Sequence, residues 1–152
     1  MIQNALMFEQ LQRFYALWRE SNAMYEGWAK SQGLSLNSIL ILYSFYYHEE
    51  SCTQKSISEK WTIPKQTVNT ILKEFSAQGY IEMLPMTSDK RNKEIHLTPK
   101  GKEFSENIIT QLHQIELYVM EKMGMNRIIS LNDNLDLFIM LFREGGVPKD
   151  EQ

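Results

Sequence analysis

Between Trp61 and Lys65 the chain reads Thr-Ile-Pro, and this break constrains the fold more than any other stretch. Proline has no N–H to donate and clashes with the preceding turn, so it does not sit inside a regular helix. The residue before it, Ile63, is pushed toward extended backbone. Two short amphipathic helices are therefore predicted, joined by a tight turn. Upstream, Thr53 can cap a helix "QKSISEKW", whose Ile57 and Trp61 share one face. Downstream, Pro64 suits the first position of a helix "PKQTVNTILKEFSAQ", which Gly79 ends. Val68, Ile71, Leu72 and Phe75 recur at i, i+3, i+4 and i+7, the spacing of a buried stripe. The opposite face carries Lys65, Gln66, Asn69, Thr70 and Lys73. A short helix, a tight turn and a second helix with a polar face make a helix-turn-helix pattern. Taken alone, the same pattern also fits any helical hairpin with one solvated face.

The segment after Gly79 narrows the choice. "YIEMLPMT" (80–87) and "KEIHLT" (93–98) read as two short strands flanking "SDKRN". A helix-turn-helix running straight into a two-stranded hairpin with a basic tip is a winged helix. The fold class is therefore mainly α with a small β element, an α+β winged helix-turn-helix. Long helices flank it. Residues 4–31 place Leu11, Tyr15, Trp18, Tyr25 and Trp28 at helical spacing, with Gly33 as a stop. Ser35 can cap a helix over 36–48 that is apolar nearly all round and so belongs in the core. Thr98 and Pro99 open a helix to about 123, and another runs over about 126–144. Phe104, Ile108, Leu112, Ile115 and Val119 mark a stripe on the first of these, and Ile128, Leu131, Leu135, Phe138 and Leu141 one on the second. These helices carry more apolar surface than one small wing domain can cover, which points to a protein interface, most simply a two-fold homodimer. One domain over 1–152 is expected. Its DNA-binding lobe is placed at 36–98 and its dimerisation helices at 1–33 and 99–146.

The net charge of −3 argues against nucleic acid until its distribution is read. Lys55 to Lys102 holds nine Lys/Arg against five acids, a net +4, and the rest of the chain is −7. A basic middle between acidic flanks is a local electrostatic footprint. Other classes find little support. No run of 18 apolar residues signals a membrane span, and the N-terminus lacks the pattern of a secretory signal, so a cytoplasmic protein is expected. No nucleophile elbow, phosphate loop, HExxH or supported carboxylate pair appears, so no enzyme activity and no cofactor are expected. The one cysteine, Cys52, excludes a disulfide framework. Its place before the cap Thr53, where a helix N-terminus can lower a thiol pKa, leaves a redox role as an alternative. His113 with Glu116, and His48 beside Glu49 and Glu50, read as surface polar residues, and no metal site is expected.

Residues 53–104 resemble the MarR family of bacterial winged-helix regulators. Asp89, Arg91, Leu97, Thr98 and Gly101 in "DKR…LTPKG" sit where that family has its wing D-x-R and following L-T-x-x-G. "TVNTILKEFSAQGYIE" is similar to its recognition helix and first wing strand. The outer helices fit in order and length. Two features depart from the pattern: Pro64 opens the recognition helix where the family often has Ser or Thr, and Met83 and Leu84 stand where it often has basic residues. The resemblance implies a homodimer with two recognition helices in successive major grooves, a pseudo-palindromic operator with half-sites about 10 bp apart, and repression as the commoner outcome. A winged-helix module that binds only protein stays open as an alternative.

Each candidate has a chemical role. Lys55 and Ser56 on the preceding helix suit backbone phosphates. Lys65, Gln66, Thr67, Asn69, Thr70 and Lys73 lie along the helix that would enter the major groove, where Gln66 and Asn69 can pair with adenine and Lys65 and Lys73 with phosphate or guanine. Asp89, Lys90, Arg91 and Lys93 form the wing. Arg91 suits a narrow A·T-rich minor groove, with Asp89 placed to hold the guanidinium or cap the turn. The resemblance also implies a small, often aromatic, effector. Tyr15, Trp18, Tyr43, Tyr46 and Tyr47 are candidates to line its pocket, although aromatics at this spacing equally form plain core.

Overall fold

The computed structural model describes residues 2–47, 52–86 and 93–146. Helices α1 (Ile2–Ser31) and α2 (Leu36–Tyr47) precede the helix pair α3 (Gln54–Trp61) and α4 (Lys65–Ala77). Strands β1 (Ile81–Pro85) and β2 (Lys93–Leu97) come next, then α5 (Pro99–Met123) and α6 (Met125–Gly146). The chain divides into two compact units, Met1–Ile109 and Thr110–Gln152.

The first unit is built around α2. Its Ile39, Ile41, Leu42 and Phe45 are buried, and it packs against α1, α3 and α4. That is why it is apolar nearly all round. The predicted stripe of α4 is buried as well: Val68, Ile71, Leu72 and Phe75 meet the core with Ile57, Ile63, Ile81 and Ile95. Burying each such side chain contributes roughly 1.5–3 kcal/mol. Polar ties fix α3 to α2: the Trp61 indole N–H donates to the Ser44 hydroxyl at 2.6 Å, and the Cys52 thiol donates to the Ser44 carbonyl at 3.3 Å.

Ser58 bonds the turn between α3 and α4 twice. Ser58 Oγ donates to the Ile63 carbonyl at 2.7 Å, while the Ile63 N–H returns to the Ser58 carbonyl at 3.1 Å. Thr62 closes α3 in the left-handed region, φ 53° and ψ 38°. Pro64 does not occupy the first helical position expected for it. It is the N-cap, with φ −54° and ψ 136°, and its carbonyl accepts the first helical bond, from the Val68 N–H. Extended ψ at Pro64 turns the chain before Lys65 enters the helix.

β1 and β2 pair antiparallel with Ile81 opposite Leu97 and Met83 opposite Ile95. A bridge not foreseen in the sequence adds to them: Cys52 pairs with Ile95, whose N–H donates to the Cys52 carbonyl at 2.8 Å. In the second unit, α6 buries Ile128 but leaves Leu131, Leu135, Phe138, Leu141 and Phe142 exposed. No helix among the described residues is long and apolar enough to cross a membrane.

Candidate nucleic-acid interface

Thr53 and Ser56 form a reciprocal capping box at the start of α3. The Ser56 N–H donates to Thr53 Oγ1, and Ser56 Oγ accepts from the Thr53 N–H and donates to the Thr53 carbonyl. The hydroxyl expected to meet a phosphate is thus engaged in holding the helix start. Lys55 lies 3.8 Å from Glu59 in an exposed i, i+4 pair, which is worth little in water. Gln54 reaches across the turn, its amide donating to the Lys65 carbonyl at 3.1 Å, and so sets the first turn of α4 against α3.

On α4, Lys65, Gln66, Thr70 and Lys73 are exposed, Thr67 and Asn69 are half-buried, and Val68 is core. Thr70 Oγ1 donates back to the Gln66 carbonyl at 3.0 Å, so its hydroxyl turns outward only as an acceptor. A cleft of about 480 Å³ opens between α3, α4 and the hairpin. It brings Lys55, Lys65, Asn69 and Lys93 together over a floor of Leu72, Met83 and Ile95. None of the described residues lining it is acidic. Met83 is half-buried here, opposite Ile95 in the hairpin. Asp89, Lys90 and Arg91 lie outside the described residues. The outward face of the hairpin pairs Glu82 with His96, and His96 Nε2 lies 3.3 Å from Glu94.

The other candidates fall elsewhere. Tyr15 and Trp18 are exposed on α1, Tyr43 is half-buried against Trp61 with ring centroids 6.3 Å apart, Tyr46 is exposed, and Tyr47 ends α2. Cys52 departs from its expected chemistry. It is buried, and desolvation raises its thiol pKa, opposed in part by the charge of Lys60. Burial outweighs the helix terminus, so the thiolate that a redox sensor needs is disfavoured. Among the described residues no group of three or more His, Cys, Asp or Glu can hold a metal ion. His113 and Glu116 are half-buried on α5, and His48, Glu49 and Glu50 lie outside the described residues.

The profile of the MarR family matches residues 32–91, from the end of α1 through both helices of the turn and into the hairpin. The fold agrees over nearly the whole chain. The structure of NMB1585, a MarR family regulator from Neisseria meningitidis, superposes with a TM-score of 0.76 at 29% identity, covering 89% of this chain and 94% of that one. The chain belongs to the MarR family. Among curated members, the HTH-type transcriptional regulator Hpr of Bacillus licheniformis is 31% identical over 104 residues, 67% of this chain. This MarR-family chain spans about half the length of that relative, 50%. The S. aureus MepR–DNA complex shares the fold at 17% identity, with a TM-score of 0.69, 86% of this chain and 96% of that one covered. The helix-turn-helix and hairpin that bear the clustered lysines are thus the MarR winged helix.

Proposed function

We propose that this MarR-family chain is a sequence-specific DNA-binding transcriptional regulator, acting as a homodimeric repressor on a pseudo-palindromic operator. The observation that carries the reading is the polar, basic face of α4. It is solvent-facing at Lys65, Gln66, Thr70 and Lys73 and continues through the cleft to Lys55 and Lys93. The N-terminus of α4 adds to it, because Pro64 supplies no side-chain cap, and the first-turn N–H groups with the helix dipole favour a phosphate. In this reading α4 fills the major groove, Lys55 and Lys65 take phosphates, Gln66, Thr67, Asn69 and Thr70 meet base edges, and Lys73 and Lys93 hold flanking backbone. In the same reading Arg91 takes the adjacent minor groove, and Asp89 holds its guanidinium or caps the turn.

Residues 36–98 serve as the DNA-binding lobe of a single 1–152 domain, and 1–33 with 99–146 as the dimerisation helices. Exposed apolar side chains on α1 (Leu6, Met7, Phe8) and on α6 (Leu135, Phe138, Phe142) support a second copy as the partner. Release by a small aromatic effector extends the family resemblance to this chain. Such an effector works only by binding the DNA-free geometry more tightly than the bound one.

A mobility-shift titration with the DNA upstream of the chain's own coding region tests the reading. Saturable binding at one site with two-fold symmetry is expected, with log K falling linearly as log salt rises. Equal binding to every sequence, or none at low salt, would overturn it. Repeating the titration with aromatic carboxylates tests the effector.

A further inference from the structure

The "LTPKG" stretch matches a family motif but has no part in the DNA contacts proposed above, and Lys100 within it contributes to the charge of the basic strip. The structure gives both a different reading. Helix α4 ends in a Schellman motif: Gln78 is its C-cap, Gly79 comes next at φ 74°, the Gly79 N–H donates to Ser76 and the Tyr80 N–H to Phe75. The carbonyls of Gln78, Gly79 and Tyr80 are successive in the chain, and all three are taken by the residues that open α5. Lys100 Nζ donates to the Gln78 carbonyl at 2.7 Å, Thr98 Oγ1 to the Gly79 carbonyl at 2.6 Å, and the Thr98 N–H to the Tyr80 carbonyl at 3.0 Å.

The same Thr98 hydroxyl accepts the Gly101 N–H at 3.0 Å, so one oxygen caps α5 while binding the end of α4. Packing reinforces the joint. The Tyr80 ring stacks on Phe104 with centroids 4.3 Å apart and planes 2° from parallel, and the Lys100 ammonium lies 5.0 Å from the Tyr80 ring centroid. Gly101 lies so close that any Cβ there would overlap the Tyr80 carbonyl.

We infer that Thr98, Lys100 and Gly101 form a clamp that fixes the recognition helix to α5, with Lys100 a positioning residue rather than a phosphate contact. The inference rests on the DNA-binding reading of α4. A cation at the C-terminal end of a helix is favoured by the helix dipole, and here it is delivered from a neighbouring helix. The Lys100 charge therefore acts on α4, whose N-terminal half faces the groove, and not on DNA.

The test uses the full chain with Lys100→Met and Lys100→Arg. In free protein, hydrogen exchange at the Gly79, Tyr80 and Gly101 amides is expected to quicken in Lys100→Met and to return toward wild type in Lys100→Arg. Against operator DNA, Lys100→Met is expected to weaken binding about threefold to tenfold with an unchanged salt slope, whereas loss of a phosphate contact lowers the slope by about 0.9. A reduced slope, unaltered affinity, or unaltered exchange each overturns the inference. Faster exchange in Lys100→Met together with a wild-type chain that binds no DNA keeps the clamp, and removes instead both its positioning role and the proposed function.

Discussion

Thr62 is the non-glycine residue with positive φ among the described residues, and it sits in the turn on which the whole motif depends. A β-branched side chain pays a steric cost in the left-handed region that glycine does not. Glycine loses part of that gain through its freer unfolded chain. Thr62→Gly is therefore expected to raise stability by about 0.5–1 kcal/mol in urea unfolding, without altering the fold. Gly101 shows the opposite case, since the Tyr80 backbone leaves no room for a methyl group. Gly101→Ala is expected to destabilise by about 2–3 kcal/mol or more, read as a lower urea midpoint. Cys52 predicts a pH effect. Its folded pKa is raised by burial, so the unfolded thiol ionises first as pH climbs. Its contribution is complete below the usual thiol value and is lost as pH rises toward the folded one. Stability should fall above about pH 9, and Cys52→Ala should flatten that part of the curve relative to wild type. Identical slopes in the two proteins would contradict the burial argument.

At the level of elements, the helix pair and hairpin were legible because each carries its own local signal. The stripe Val68, Ile71, Leu72, Phe75 appears in the sequence as it does in the core, and Thr53 caps α3 as its position predicts. The bridge from Cys52 to Ile95 had no such signal. A single residue in a bridge has no periodicity, and its partner is 43 positions away. The roles proposed along α4 can be separated by substitution. Lys65→Ala is expected to weaken binding evenly across DNA sequences and to lower the salt slope by about 0.9. Asn69→Ala should cost about 1–3 kcal/mol on the cognate site and leave non-specific binding intact. Arg91→Ala on the wing is expected to reduce both operator affinity and the salt slope. Wild-type affinity at physiological salt would remove the wing from the interface.

The whole molecule poses the question of what covers the apolar side chains of α6. Twenty-two residues of helix with exposed Leu131, Leu135, Phe138, Leu141 and Phe142 do not suit a lone chain in water. A double substitution, Leu135→Glu with Phe138→Glu, is expected to turn the proposed dimer into a monomer in sedimentation analysis. It should also weaken operator binding by several orders of magnitude, because two linked half-sites become two separate events. Retention of the wild-type sedimentation coefficient would place the subunit contact elsewhere.

Periodicity, caps and punctuating glycines and prolines were enough to place the helices and strands of the described residues to within a few positions, since those signals act over one or two turns of chain. They also marked the polar side of α4, where Lys65, Gln66, Thr70 and Lys73 are exposed. Where each lysine lies was decided in three dimensions. Lys55, Lys65 and Lys93 converge on one cleft, while Lys100 turns away to close the end of α4. Cys52, placed by sequence at a helix start that can lower a thiol pKa, has its pKa raised by burial instead. Charge and titration depend on neighbours distant in the chain and on access to water, and neither is written in the local order of residues.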